Sequence, residues 1–315
     1  MVDDFMSARL SGTAAALALI LLMLVHAATR SGPSASYPVP PSIPFSGERA
    51  LEHVRQLVAI GPRVAGSPGA ARTRAYITAR IEALGLRVVE QPFDAQTPLG
   101  AVEMVNLRVP IPSDTGLDAP RVILAGHYDT KLFKEFTFVG ANDAGSSTAF
   151  LIEAARALKD AKLPMPLEVL FLDGEEAVIE WVGSDHTYGS RHYVQAAQRA
   201  GTLRTVRALV LVDMIGDRDL RISRDDNSTP WLTDIVWSAA RRLNVPAFVD
   251  QSTAIEDDHI PFLRAGVPAV DIIDLEYPAW HTADDTIDKV SAESLEAVGR
   301  VVMEALPEIM RRTAQ

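Results

Sequence analysis

Glu175 and Glu176 stand side by side at the end of the run Leu167-Glu-Val-Leu-Phe-Leu-Asp-Gly-Glu-Glu176. Two carboxylates a few ångströms apart repel and raise each other's pKa unless a cation or a proton neutralises them, so the pair predicts a metal site or an acid/base site. Similar side chains recur at His127-Tyr-Asp129, Asn142-Asp143, Asp213 and Trp280-His281-Thr282. Singly each has an ordinary explanation: a core histidine, a helix N-cap, a turn acid, a loop residue. Jointly they form a set of oxygen and imidazole donors, which suits a zinc ion with one open position. The chain has no cysteine. Thiolate ligands, disulfides, a cysteine nucleophile and lipoprotein anchoring are therefore excluded, and a metal must be held by His, Asp and Glu.

Elements that could bring these residues together are legible around them. The apolar run from Leu167 breaks at Gly174 and reads as a buried strand delivering its last residues to a sheet edge. Arg121 to Gly126, Ala208 to Asp213 and Val267 to Leu275 read likewise, and Leu86 to Val89 and Glu103 to Val109 are further strands. Between them run helical stripes: Leu51, Val54, Leu57 and Val58; Tyr76, Ile77, Ile81 and Leu84, ended by Gly85; and Phe150, Leu151, Ala154, Ala155 and Leu158. Trp231 to Leu243 and Ser291 to Ile309 are helical too. Strands spaced by helices predict a three-layer αβα domain, an α/β fold with a mainly parallel, mixed central sheet. Parallel strands share one carboxyl edge, so His127, Asp143, Glu175, Glu176, Asp213 and His281 would converge on one crevice.

Composition narrows the partners. The 315 residues carry 41 acids against 30 bases, a formal charge of -11, which repels phosphate backbones and argues against nucleic acid. Residues 1–30 stand apart: Ala14 to Val25 is an unbroken apolar run followed by the small residues Ala27 and Ala28. That run fits the ~7–15-residue core of a secretory signal and is short of the ~20 of a spanning helix. Adding Ser11, Gly12 and Thr13 brings it near spanning length, so a signal peptide and a signal anchor both stand. Either one exports the remainder to a periplasmic, secreted or membrane-anchored location, with membrane contact only through an uncleaved segment. Residues 31–46 are rich in Pro and Ser and read as a linker, leaving 47–315 as the catalytic domain.

The motifs, in this order, resemble those of the zinc exopeptidases of the aminopeptidase fold, and among them the glutaminyl-peptide cyclotransferases (glutaminyl cyclases). The resemblance runs from Gly66-Ser-Pro-Gly69 through Gly126-His-Tyr-Asp-Thr-Lys-Leu-Phe133, Phe138-Val-Gly-Ala141, Asp173-Gly-Glu-Glu-Ala177, Tyr188-Gly-Ser-Arg191 and Asp257-Asp-His-Ile-Pro-Phe262 to Trp280-His-Thr282. Gly-Glu-Glu and His-Thr belong to the whole superfamily, whereas Trp181, Asp257-Asp258 and Trp280 point to the cyclases. The resemblance implies a single zinc on Asp143, Glu176 and His281, with Glu175 as proton carrier. It implies attack of a peptide's N-terminal α-amine on the γ-carboxamide of its own Gln, giving pyroglutamate and ammonia. Asp213 and Asp257 would share a proton and steer Glu175 or the departing ammonia, and Trp181 and Trp280 would wall the pocket. Substrates would be peptide or protein N-termini, bound by a monomer. Animal secreted cyclases carry a cysteine pair near Gly126 and Thr148, so this chain resembles a bacterial-type member without that bridge.

Asn142-Asp143 followed by Gly145 reads closer to the peptidases. On the rival reading, a co-catalytic aminopeptidase with two zinc ions, His127 and Asp213 bind the second metal, Asp143 bridges, and Glu175 activates water. A noncatalytic ectodomain of the same fold would show lost ligands, and none is lost.

Overall fold

Three runs that are buried along their whole length form the centre of the sheet: β3 (Arg121–His127), β4 (Leu167–Leu172) and β5 (Val206–Asp213), where only Arg207 is exposed. The computed structural model describes residues 43–111 and 119–314, so the apolar run of residues 14–25 and the linker as far as residue 42 lie outside the described residues. Among the described residues no helix is long and apolar enough to cross a membrane.

The chain enters through α1 (Gly47–Ile60), capped by Ser46, and α2 (Pro68–Glu82), capped by Ser67 with Pro68 in its first turn. A long hairpin follows, β1 (Val89–Thr97) and β2 (Gly100–Ile111), turned at Gly100 with φ of 110°, which a side chain would resist. Then come β3, α3 (Gly145–Leu158), β4, α4 (Tyr188–Arg199), β5, β6 (Ile222–Asp225), α5 (Pro230–Arg242), β7 (Phe248–Thr253), α6 (His259–Arg264), β8 (Ala269–Ile273) and α7 (Ala292–Thr313). The main sheet has the order β1-β2-β4-β3-β5-β8, with β4, β3, β5 and β8 mutually parallel, β2 antiparallel to them and β1, antiparallel to β2, at the edge. β6 and β7 form a separate two-stranded parallel sheet.

Alternation along the strands divides the core. Val122, Leu124, Val169, Phe171 and Val210 pack with residues of α1, α2, α3, α5 and α7 on one face. Ile123, Ala125, Leu170, Leu172 and Leu209 pack on the other with Tyr193 and Val194 of α4 and Phe262 of α6. Burying each such side chain contributes about 1.5–3 kcal/mol, and the two apolar faces together make the three-layer αβα architecture that the sequence predicts.

Boundaries differ in places. The strand expected at Leu86 to Val89 begins only at Val89, because β1 is an edge strand whose burial alternates and whose sequence is largely polar. The strand expected from Val267 to Leu275 is confined to Ala269–Ile273, and the last helix runs past Ile309 to Thr313. Helices α4 and α6 and the β6-β7 pair fall outside the elements read from the sequence; α4 buries Tyr193, Val194 and Ala197 on one face, but with Gly189 and Ser190 among them.

Candidate active site

Every residue singled out at a strand end reaches one crevice. His127 is the last residue of β3, Asp213 the last of β5, and Glu175 and Glu176 follow β4 after one turn. Asp143 precedes α3, whose N-cap is Ala144 and not Asp143, and His281 lies on the loop after β8. His281 has a left-handed backbone, φ 55°, as does Met214 beside Asp213, φ 45°. Such conformations cost of order 1–3 kcal/mol in non-glycine residues and cluster at functional sites.

Two triads of potential ligands share Asp143: Asp143, Glu176 and His281, and His127, Asp143 and Asp213. In the first, His281 Nε2 lies 3.1 Å from Glu176 Oε1 and 3.4 Å from Asp143 Oδ2. In the second, His127 Nε2 is 3.0 Å from Asp213 Oδ1 and 3.3 Å from Asp143 Oδ1. The two triads differ in how well they are satisfied. Asp143 Oδ2 and Glu176 Oε2 are buried without a hydrogen-bond partner, whereas no such atom falls on His127 or Asp213, which bond to each other. Glu168, at the other end of β4, shows how the fold buries an acid for structure alone: Arg108 and Arg121 donate to it at 2.6–3.1 Å. No guanidinium serves Glu176 among the described residues, and Lys131 Nζ stays 3.9 Å from Oε2. A buried carboxylate left open in this way fits a cation, and the Asp, Glu and His donor set suits zinc.

Electrostatics follow from the burial. Glu176 is pushed up to about 7 by burial and by the charge of Asp143, against the opposing pull of His281. Burial lowers His281, but the two carboxylates outweigh it and raise it to about 9. Glu175 is driven well above the carboxylate range, first by burial and then by Asp257, although His127 pulls it down. Its Oε2 lies 3.7 Å from His127 Nδ1. Burial, and then Asp213, raises Asp257 to about 6. Asp213 is itself raised by burial, yet its hydrogen bonds go to His127 and to the N–H of Met214. Asp213 is thus bonded to His127, and its charge is also the strongest one acting on Asp257.

Several further residues support the site. Asp129 accepts the backbone N–H of Glu175 on one oxygen and that of Glu176 on the other, at 3.1 and 3.3 Å. Asp285 accepts the N–H groups of Asn142 and Asp143 and the hydroxyl of Tyr277. Arg63, fully buried, donates to the carbonyls of Tyr128, Val139 and Gly140, clamping the two loops that carry His127 and Asp143. Phe133 and Phe138 stand edge-on to His281, and His186 stacks on Trp181. Of these, Asp129, Phe133, Phe138 and Asp285 lie in or just after the quoted motifs, which is the signal that could have found them.

The triads open into a cavity of about 480 Å³ whose polar floor is Asp143, Glu175, Glu176, Asp213, Asp257 and His281. Its walls include Ile179, Trp181, Leu275 and Trp280, all of them exposed large apolar residues. A polar floor beneath an apolar rim is the shape of a small-molecule or chain-terminus site.

Such a fold and site define an exopeptidase-type class, and the model of Peptidase family M28 matches residues 106–306. The chain belongs to that family, among the glutaminyl-peptide cyclotransferases. It is similar to the glutaminyl-peptide cyclotransferase-like protein of Mus musculus, 32% identical over 288 residues that span 82% of this chain and 74% of that one. The crystal structure of Acidobacteriales bacterium glutaminyl cyclase superposes with a TM-score of 0.81 at 39% identity, covering 90% of this chain and 99% of that one. A leucine aminopeptidase precursor from Bacteroides thetaiotaomicron shares the fold at a TM-score of 0.76 and 25% identity, covering 84% and 98%.

Proposed function

We propose that the protein is a zinc-dependent glutaminyl-peptide cyclotransferase, converting the N-terminal Gln of peptides or proteins to pyroglutamate with release of ammonia. The observation that carries this reading is the placement of Glu175. Its carboxyl sits beside the Asp143, Glu176 and His281 triad at the floor of an apolar-walled pocket, where burial raises its pKa well above that of an ordinary carboxylate, so it holds a proton more strongly than a free acid does. The relatives named for this chemistry support it from outside the geometry.

Asp143, Glu176 and His281 would hold the metal, which when bound supplies Lewis-acid polarisation of the γ-carbonyl. Trp181 and Trp280 wall the Gln side chain and exclude water, which would otherwise compete as nucleophile. The free α-amine nitrogen forms a bond to the γ-carboxamide carbon, and the bond from that carbon to the amide nitrogen breaks. Glu175 takes the proton leaving the amine and delivers it to the departing nitrogen, so ammonia leaves and atoms balance. Burial raises the pKa of Glu175, and the charge of Asp257 in the same pocket raises it further.

The second triad favours one rival, an aminopeptidase with a further ion on His127 and Asp213. Their mutual hydrogen bond, which leaves neither His127 nor Asp213 with an unpartnered buried polar atom while Glu176 Oε2 has no partner, favours one metal. Purified protein should hold one zinc per chain and release ammonia from Gln-initiated peptides without releasing free amino acids. Two tightly bound zinc ions together with amino-acid release would establish the peptidase instead. We also place the enzyme outside the cytoplasm, on the apolar run of residues 14–25; a cytoplasmic fraction retaining full-length protein would refute that.

A further inference from the structure

Beyond one wall of the pocket lies a second, smaller depression of about 210 Å³. The two cavities share Ile255, Ile273 and Leu275, so a single apolar ridge separates them. The far side of the ridge is polar. Arg221, Ser223, Gln251, Ser252, Thr253 and Glu276 line it. Arg221 pairs with Glu276 at 3.0 Å and donates to Gln251 Oε1 at 2.6 Å, so the lining offers donors and acceptors with no net charge. A main chain, with one N–H and one carbonyl per residue, is the ligand such a surface matches.

Topology gives the direction. β7 runs from Phe248 to Thr253 toward the active site, and the chain continues through Ala254, Ile255 and Glu256, which line the main pocket, to Asp257. A peptide with its first residue in that pocket, leaving over the ridge, therefore runs antiparallel to β7. β7 has β6 as its one strand partner among the described residues, and Asp250, Gln251, Ser252 and Thr253 are all exposed.

We propose, on the basis of the cyclotransferase reading above, that this groove, lined from β6, β7 and the segment after β8, forms an extended subsite that binds the main chain of the substrate beyond its N-terminal Gln. The contacts lie far from the reacting atoms and are the same in ground and transition states, so they act on KM and leave kcat alone. The substrate class this favours is the extended, unstructured N-terminus of a peptide or protein, over single-residue Gln derivatives.

The test compares glutamine amide with a Gln-initiated hexapeptide, using the full-length zinc-loaded protein and its Ser252→Trp and Arg221→Ala variants. In the unaltered protein the hexapeptide should show a KM lower by about tenfold, the scale of one or two hydrogen bonds. Ser252→Trp fills the groove and should raise the hexapeptide KM to that of the amide, with kcat and the amide KM unchanged. Arg221→Ala should move the hexapeptide KM in the same direction. Equal KM values for the two substrates in the unaltered protein, or parallel changes for both in the variants, would overturn the subsite. A dimer dissociated by Ser252→Trp with unaltered kinetics would assign the groove to a second copy of the chain and also overturn it. Absence of ammonia from either substrate in the unaltered protein would show instead that the cyclotransferase reading itself has failed.

Discussion

The carboxylate of Asp129 accepts the backbone N–H of Glu175 at 3.1 Å. Its second oxygen takes the N–H of Glu176, so one buried side chain fixes two consecutive peptide units. The turn thus held sends the two glutamates to different partners: Glu176 Oε1 to His281 Nε2 at 3.1 Å, and Glu175 Oε2 toward His127 Nδ1 at 3.7 Å. The adjacent acids owe their separate surroundings to this backbone anchor. Thr187 adds to it by donating its N–H to the carbonyl of Glu175 at 2.8 Å.

Replacing Asp129 by Asn keeps the volume but leaves one acceptor oxygen for two N–H groups. A buried N–H without an acceptor costs about 1–3 kcal/mol. For a domain of this size that corresponds to a fall in Tm of roughly 2–4 °C per kcal/mol. Calorimetry should show that loss. Turnover should fall by more than tenfold, because Glu175 and Glu176 lose their fixed directions. A variant of unchanged kcat would mean that Thr187 alone suffices to hold the turn.

Glu175→Gln and Glu176→Gln should separate the two acids cleanly. The first removes the proton carrier and leaves Asp143, Glu176 and His281 in place, so zinc content should persist while kcat drops by about 10²–10⁴. The second removes a charged ligand, and zinc content should fall with activity. Metal analysis beside an ammonia assay reads both, and retained turnover in Glu175→Gln would remove Glu175 from the chemistry.

His186→Ala should act through Trp181. The imidazole stacks on the indole with centroids 4.1 Å apart and planes 13° from parallel, and the indole is a pocket wall that is 37% exposed. Without its backing the indole gains rotamer freedom that binding must remove. KM should rise a few-fold, on the order of 0.5–1.5 kcal/mol, with zinc content unchanged. Trp181→Ala should exceed that effect; equal KM in both variants and the unaltered protein would mean that the wall does not touch substrate.

Much of this site is legible in the sequence because it depends on a few strong rules. β3, β4 and β5 lie inside both apolar faces, so their sequences are nearly continuous apolar runs whose ends are easy to find. Once those strands are parallel, His127, Glu175, Glu176 and Asp213 must share an edge. The parts that escape notice depend on contacts between distant backbones. Asp285 acts on residues 142 and 143 through their N–H groups, three residues beyond the Trp280-His-Thr282 motif, and Arg63 on three carbonyls with no local pattern to mark it. The β6-β7 pair is missed for a different reason: four of the six residues of β7 are exposed, so no alternation is written into it. α4 buries Gly189 and Ser190 in its first turn, which hides its stripe among small and polar residues.

Metal affinity should depend steeply on pH, with a sign set by the ligands. The metal needs bare His281 and Glu176, so binding must expel whatever protons they carry. His281 is raised to about 9, because Asp143 and Glu176 outweigh its burial, and Glu176 is raised to about 7, chiefly by burial. Above about 9 neither carries a proton and affinity is greatest. As pH falls through 9 one proton competes, and as it falls through 7 a second joins it. Apparent affinity should therefore drop by roughly a hundredfold to a thousandfold between pH 8 and pH 6. Competition with a chelator of known pH dependence measures the drop, and titration in two buffers of different ionisation enthalpy counts the protons released. His281→Ala should flatten the profile between 7 and 9. An affinity independent of pH in the unaltered protein would place the metal on other residues.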